Sequence, residues 1–372
     1  MSPLPFAAVF AHLADPRRDT ANKLHLLGDI LAIATCAVIA GANSWDDIAE
    51  YGRTKIDFFR RFLPLENGIP SPDTFERLFA KLAPGAFAQA FGRWMAAACE
   101  DTGLVPIAVD GKSARSAPRN TATGRLHIVT AWAAESRLVL GTAAVPDGSN
   151  EIAAIPELLR VLDLAGAIVT IDAAGCQVEN ARIIRARKGH YLLAVKHNQP
   201  KLRAAVETVF ERAVEVGFEG IRCDGDDSGG SGHGRDEERS VTVVYAPTGL
   251  PSEWPDVAAV VQVNRQRRVG TKKAVTTHYY LSSHEATARE FAGWVRGHWG
   301  IENGLHWVLD VVFGEDRSRV RAKNAGANLA MIRRVAVSLR YEATASGRVT
   351  RRASSDPACI LRVPLLDTAV GG

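Results

Sequence analysis

No cysteine pair in this chain has C-x-x-C spacing. The five present, Cys36, Cys99, Cys176, Cys223 and Cys359, are scattered and odd in number. That pattern excludes a zinc finger and a disulfide framework, and predicts reduced thiols in a cytoplasmic protein. Long apolar runs are also missing. The longest, Ile30 to Ala42, falls well short of the ~18 residues of a membrane span, so it reads as a buried core helix. The N-terminus lacks the basic-then-apolar order of a signal peptide, and no internal repeat is visible. Charge of one sign is scarce too: 45 Lys and Arg against 41 Asp and Glu leave a formal +4. Such a balance permits a polyanionic partner without demanding one, so the distribution of charge decides. With 372 residues, 47% of them hydrophobic, the chain can bury the cores of two or three domains.

What is present divides near residue 100. Up to there the pattern is helical. Asn43 or Ser44 caps a helix that follows, and Ser71 caps another with Pro72 at its first position. A third follows Pro84 and Gly85. These helices are read as an N-terminal domain over 1–100, either a helix-turn-helix or a plain bundle. From about 104, three successive strand patterns (105–110, 126–135 and 137–145) give way to helix, strand, helix and strand through Lys196. This order predicts an α/β fold with a ribonuclease-H-like mixed sheet and flanking helices. A β-rich insertion is expected over about 205–282, built of a polar loop (223–238) and three strands. A capping box at Ser282 and Glu285 should then restart a helix running through Trp307. The catalytic domain is read as 101–343, and 344–372 as a loosely ordered tail.

Three acids stand out in this order: Asp110 and Asp172 at the ends of apolar strand patterns, and Glu302 inside the late helical segment. Each alone reads as an ordinary solvated carboxylate. Together they suit a shared metal pocket, because magnesium takes hard oxygen ligands and paired ions ~3.5–4 Å apart catalyse phosphoryl transfer. Gly293, Gly297, Gly300 and Gly304 line one face of the Glu302 helix. Glycine costs ~1 kcal/mol at an interior helical position, so they imply either close packing or a broken helix. His298 and His306 flank Glu302 at four-residue steps, but imidazoles suit zinc or iron better than magnesium. Contact with phosphate, or ordering of the carboxylate, fits them better.

Two look-alikes fail. A phosphate-binding loop ending at Gly111-Lys112-Ser113 would need glycine where Pro106 stands. A calcium loop opening at Asp224, Asp226 and Ser228 would need a closing acid where Arg235 stands, so that stretch reads as a surface loop. Cys176 has no partner base nearby in sequence and reads as a packed thiol.

Positive charge is bunched in three places: Arg182, Arg185, Arg187 and Lys188; Arg265, Arg267, Arg268, Lys272 and Lys273; Arg317, Arg319, Arg321 and Lys323. Each could be a solvated face. As a set they favour an extended polyanion. Lys112, Lys196 and His298 are expected near the reacting phosphate.

The segments 67–79, 108–117, 172–177, 233–239 and 297–321 resemble the DDE transposases of bacterial insertion sequences, and most of all their H-repeat-associated branch. The resemblance runs from the N-terminal helices to about residue 341. It implies Asp110, Asp172 and Glu302 as catalytic, metal-holding residues, with Mg²⁺ as cofactor and Mn²⁺ as its substitute. It further implies DNA partners (terminal inverted repeats and target) and a homodimer on DNA; from the basic residues themselves, the expected DNA contacts are Lys112, Arg115, Arg187, Lys196, Arg267, Arg268, His298, Arg319 and Arg321. Related transposases carry Tyr, Arg and Lys around the glutamate. Here those positions hold Val295, His298 and Leu309, so only the glutamate is kept. A nuclease without strand transfer and an inactive DNA-binding remnant stand as the rival readings.

Overall fold

In a computed structural model the chain is described over residues 10, 13–96, 104–114, 126–146, 148–232, 235–269, 272–320 and 322–345. Helices α1 (Leu27–Ile39), α2 (Trp45–Thr54), α3 (Ile56–Phe59), α4 (Pro72–Lys81) and α5 (Pro84–Ala96) come first. Strands β1 (Val105–Ser113), β2 (His127–Ala133) and β3 (Leu138–Ala144) follow, then α6 (Glu151–Val161), β4 (Ala167–Ile171), α7 (Val178–Ala186), β5 (His190–Val195) and α8 (Pro200–Glu215). Four strands come next: β6 (Cys223–Gly232), β7 (Arg235–Tyr245), β8 (Ala259–Val269) and β9 (Lys272–Ser282). The chain continues through α9 (Ala288–Ile301), a π turn (Glu302–His306), α10 (Trp307–Val311), a 3-10 turn (Glu315–Arg317) and α11 (Ala325–Ala345). Among the described residues no helix is long and apolar enough to cross a membrane.

Two compact units emerge, and they do not follow the division near residue 100. The first joins 1–101, 111–150 and 301–372; the second joins 102–110 and 151–300. Within the first unit, the reason is that α11 completes the N-terminal helices. The buried Asn328 amide donates to the carbonyls of Phe79 and Leu82 at 2.7 and 3.0 Å, satisfying the C-terminal end of α4. On the strand side of α11, Ser338 accepts from the Val139 amide at 2.9 Å. Helix α1 is the expected buried one, covered from Ile30 to Ile39. Ser44 caps α2 in a reciprocal box with Asp47, and Ser71 caps α4 with Pro72 at the first position, as read from sequence. Strand β3 is approached so closely by α5 that a Cβ on Gly92 would sit 2.6 Å from the Leu140 carbonyl oxygen.

An ionic cluster is buried in the same unit. Lys112 lies 2.6 Å from Asp310, 3.5 Å from Asp316 and 3.6 Å from Glu315, its side chain 8% exposed. Glu315 in turn accepts from the Arg334 guanidinium at 2.7 Å, and Arg334 also donates to Thr130. The ammonium expected to meet phosphate is thus already matched inside the protein.

In the second unit the strand order is β1-β4-β5-β9-β8-β7-β6, while β3-β2-β1 is the order on the first-unit side of β1. Strands β1, β4 and β5 are parallel; β5 to β9 and all later pairs are antiparallel. The sheet is therefore large and mixed, with helices against it. Two readings of the insertion need correction. Most of the stretch read as a polar loop is strand β6, paired along its whole length with β7, and its last residues, 235–238, begin β7; 233–234 lie outside the described residues. The capping box is not at Ser282, which ends β9 and is fully buried. It is at Thr287, whose amide and hydroxyl donate to Glu290 at 2.8 and 2.7 Å. Helix α9 packs on the ladder through Ala288 and Phe291, against Ile168, Leu192, Val241, Val243, Val261 and Val263. Asp224, from β6, accepts from the Ala288 amide at 2.7 Å and caps that helix from outside it.

Replacing Glu315 with Ala leaves two buried cations short of a partner. Breaking such a pair from one side costs about 3–5 kcal/mol, so urea unfolding of Glu315→Ala should lose that much stability, and a wild-type midpoint would refute the role of the cluster.

Candidate active site

Parallel pairing sets the first two carboxylates. The β1/β4 register runs from Val105↔Ala167 to Val109↔Ile171, so Asp110 and Asp172 are the next residues on adjoining strands. Adjacent strands run ~4.8 Å apart. Thr170 faces α9, since its hydroxyl meets the His298 ring nitrogen at 3.0 Å. Alternation of side chains puts Asp172, and Asp110 beside it, on that same face. Both are half-buried.

Asp172 stands on a rigid turn. Its carboxylate accepts from the Gly175 amide at 3.2 Å, so the side chain closes its own loop. The buried Asn180 amide donates to the Gly175 carbonyl at 2.9 Å, and Asn198 donates to Ala173 at 2.6 Å. Position 175 has no room for a side chain: a Cβ there would lie 2.3 Å from Cγ2 of Ile171. Cys176 is buried below the turn, and burial, then the neighbouring Asp172, pushes its thiol up to about 12. It is a packed thiol, as expected.

A small cavity of about 60 Å³ opens beside Asp172, lined among others by Thr170, Lys196, His278, Val295 and His298. Burial holds the His298 ring below the usual histidine range, although the Asp172 charge and the Thr170 contact pull the other way. His298 is thus a ring engaged with Thr170. Val295 shares this cavity, whereas Leu309 is fully buried core.

Glu302 belongs to the first unit. It is exposed, and it is the first residue of the π turn. Single π turns in otherwise α-helical segments recur at functional sites. The turn also breaks the spacing assumed between Glu302 and His306. Of the glycines, Gly304 has a packing reason, because a Cβ there would meet the Trp132 indole at 2.7 Å. Gly293 has open space around it. Close packing and a broken helix thus both occur, at neighbouring positions.

The basic candidates fare differently. Lys196 and Arg319 are exposed. Arg187 donates its Nε to the Leu162 carbonyl at 2.7 Å, and Arg185 is paired with Asp256 at 2.8 Å, so that cluster is partly structural. Arg267 and Arg268 stand in register with Glu237 and Asp236 on the neighbouring strand. Arg115 and Arg321 lie outside the described residues. Sequence reasoning missed His278, Thr170 and Asn180. The first two had no signal short of strand register; Asn180 shows only as a polar residue on the buried side of α7.

Two carboxylates at neighbouring strand ends are hard oxygen donors and fit a divalent cation of the magnesium class. Among the described residues, no group of three or more His, Cys, Asp or Glu side chains is assembled to hold one.

Comparison with known proteins agrees with the segments that carry the resemblance. The family described as "Transposase DDE domain" matches residues 101–339, and the one described as "DDE_Tnp_1-associated" matches residues 7–95. "Putative transposase YncI" of Escherichia coli O157:H7 is 38% identical over 331 residues, 87% of this chain and 84% of that protein. "H repeat-associated putative transposase YhhI" of Escherichia coli K12 is 37% identical over 330 residues, 87% of this chain and 86% of that one. An uncharacterised protein in the dhlA 3′ region of Xanthobacter autotrophicus is 40% identical over 292 residues, 77% and 95% of the two chains. A chain of the piggyBac transposase synaptic complex with hairpin DNA aligns at a TM-score of 0.42 with 11% identity, over 98% of this chain and 76% of that one, too distant to carry the fold. The chain belongs to the DDE transposases of bacterial insertion sequences.

Asn180→Ala removes the side-chain donor that pins the Asp172 turn and leaves the Gly175 carbonyl with the Gln177 amide alone. A loss of about 0.5–1.5 kcal/mol is expected, read as a lowered Tm. An unchanged Tm would show that the turn is held by other contacts.

Proposed function

We propose that this transposase cuts DNA at the ends of its element and joins the exposed 3′-hydroxyls to target DNA. Asp110, Asp172 and Glu302 would act as one metal-holding set on a ribonuclease-H-like sheet. The observation that carries this reading is the β1/β4 register, which brings Asp110 and Asp172 to adjoining strand ends on one face. Strand order supports it as well: three strands in succession, then parallel β4 and β5 alternating with helices.

The family uses divalent metal ions, and Mg²⁺ is the ion this donor set suits, with Mn²⁺ as its substitute. When bound, the ions would activate the attacking oxygen and stabilise the leaving one. The chain's residues have separate tasks. Asp110 and Asp172 hold oxygen ligands on rigid backbone, Asp172 through its closed turn. Glu302, exposed at the π turn, supplies the third carboxylate. Thr170 fixes the His298 ring next to Asp172. The helices over residues 7–95 are assigned to recognition of terminal inverted repeats. Both element ends must be handled together, so two copies on DNA are expected.

The test is a donor duplex carrying the element ends, incubated with target DNA and Mg²⁺. Joined products support the proposal. Cut ends that are never joined would make the protein a nuclease, and binding without cutting would make it a remnant; either result overturns it. Replacing a carboxylate ligand should cost more than the ~10–100-fold typical of residues that merely orient ligands. Asp110→Asn, Asp172→Asn and Glu302→Gln should each drop below that range in the joining assay while still binding end DNA. Any one that joins normally leaves the set.

A further inference from the structure

Resting on that reading, we infer that the DNA backbone leaving Asp172 runs along the α9 face of the insertion, over a cationic strip made by Lys196, His278, Arg265 and Arg239. The strip follows from strand register. Thr170 pairs with Leu192, and Ala194 pairs with Tyr280, so Lys196 and His278 are the next residues on the face that holds Thr170 and Asp172. His278 pairs with Val263, and Val263 packs with Phe291 of α9, which fixes the face of β8. Two residues on, the same alternation puts Arg265 there, and Arg239 stands opposite it on β7.

Electrostatics places these groups close together. The His278 ring is held below its usual range by burial and then by the charges of Lys196 and Arg265. The Arg239 charge is felt at Tyr280, one pair nearer the cavity. Lys196 and His278 both line the cavity beside Asp172, so the strip begins at the proposed reacting centre. Acids share this face: Asp224 and Asp226 at the β6 edge meet the α9 N-terminus and Arg289, and the register puts Glu237 two residues from Arg239 on β7.

The opposite face of the same strands has another character. There Gln262 donates to Tyr279, Thr277 donates to Asn264, and Tyr279 packs on Phe210 of α8. Near β9 it is a ladder of amides and hydroxyls, roofed by α8, whose Arg203 lies over the Tyr279 ring; further out Gln266 donates to the Glu238 carboxylate.

The experiment measures binding of a short end duplex by the full chain, with chelator present to prevent cutting, across a salt series. Each lost phosphate contact lowers the slope of log K against log salt by about one. Lys196→Ala and Arg265→Ala should each show that fall; Asn264→Ala should not. A paired gain test uses neighbours on opposite faces. Thr276→Lys should steepen the slope by about one, whereas Thr277→Lys should leave it unchanged. Wild-type slopes in both alanine variants, or equal gains from the two lysines, would overturn the inference. The joining assay is read separately: a wild type that binds ends but never joins them defeats the proposed function, while the slopes still decide the strip.

Discussion

Pairing of β1 with β4 in parallel is the constraint on which the site depends. Each strand is short and buried, with Ile107, Ala108 and Val109 beside Val169, Thr170 and Ile171. A parallel ladder buried on both faces tolerates little slippage, because a shift of one residue would turn every side chain to the other side. The same register that buries these residues delivers two carboxylates to adjoining strand ends. A glycine, two asparagine side chains and the Gln199 amide on the Cys176 carbonyl then hold the Asp172 turn.

The insertion gains a different meaning from its hydrogen bonds. It continues the core sheet from β9 outward and supplies the apolar bed for α9 through Val241, Val243, Val261 and Val263. It also caps that helix, through Asp224. The helix that carries His298 and leads into the Glu302 turn is thus held at its start and along its length by strands far from it in sequence.

Much of this was legible from residues alone because the signals are local. Ser44 and Ser71 cap their helices as their side chains dictate, and strand patterns alternating with helices predicted the mixed sheet. Asp110 and Asp172 could be picked out because a carboxylate ending an apolar strand is unusual. Reading failed where chemistry competed. A strand of Asp, Ser and Gly looks like a loop, and β6 exists because β7 pairs with it throughout. Ser282 followed by Glu285 imitates a capping box, but β9 claims that serine first. Lys112 looked like a phosphate ligand because nothing nearby in sequence announces Asp310, Asp316 and Glu315.

The sequence by itself determined most element types, the caps of α2 and α4 and the family, and it singled out the three carboxylates, since each rests on residues within one local segment. Tertiary structure alone decided the joining of the N-terminal helices with α11, the burial of Lys112 and the π turn that opens at Glu302. It also decided which face of the insertion carries Lys196, His278, Arg265 and Arg239. Those outcomes depend on strand register and on contacts between segments far apart in the chain, and neither composition nor periodicity encodes which partner will arrive.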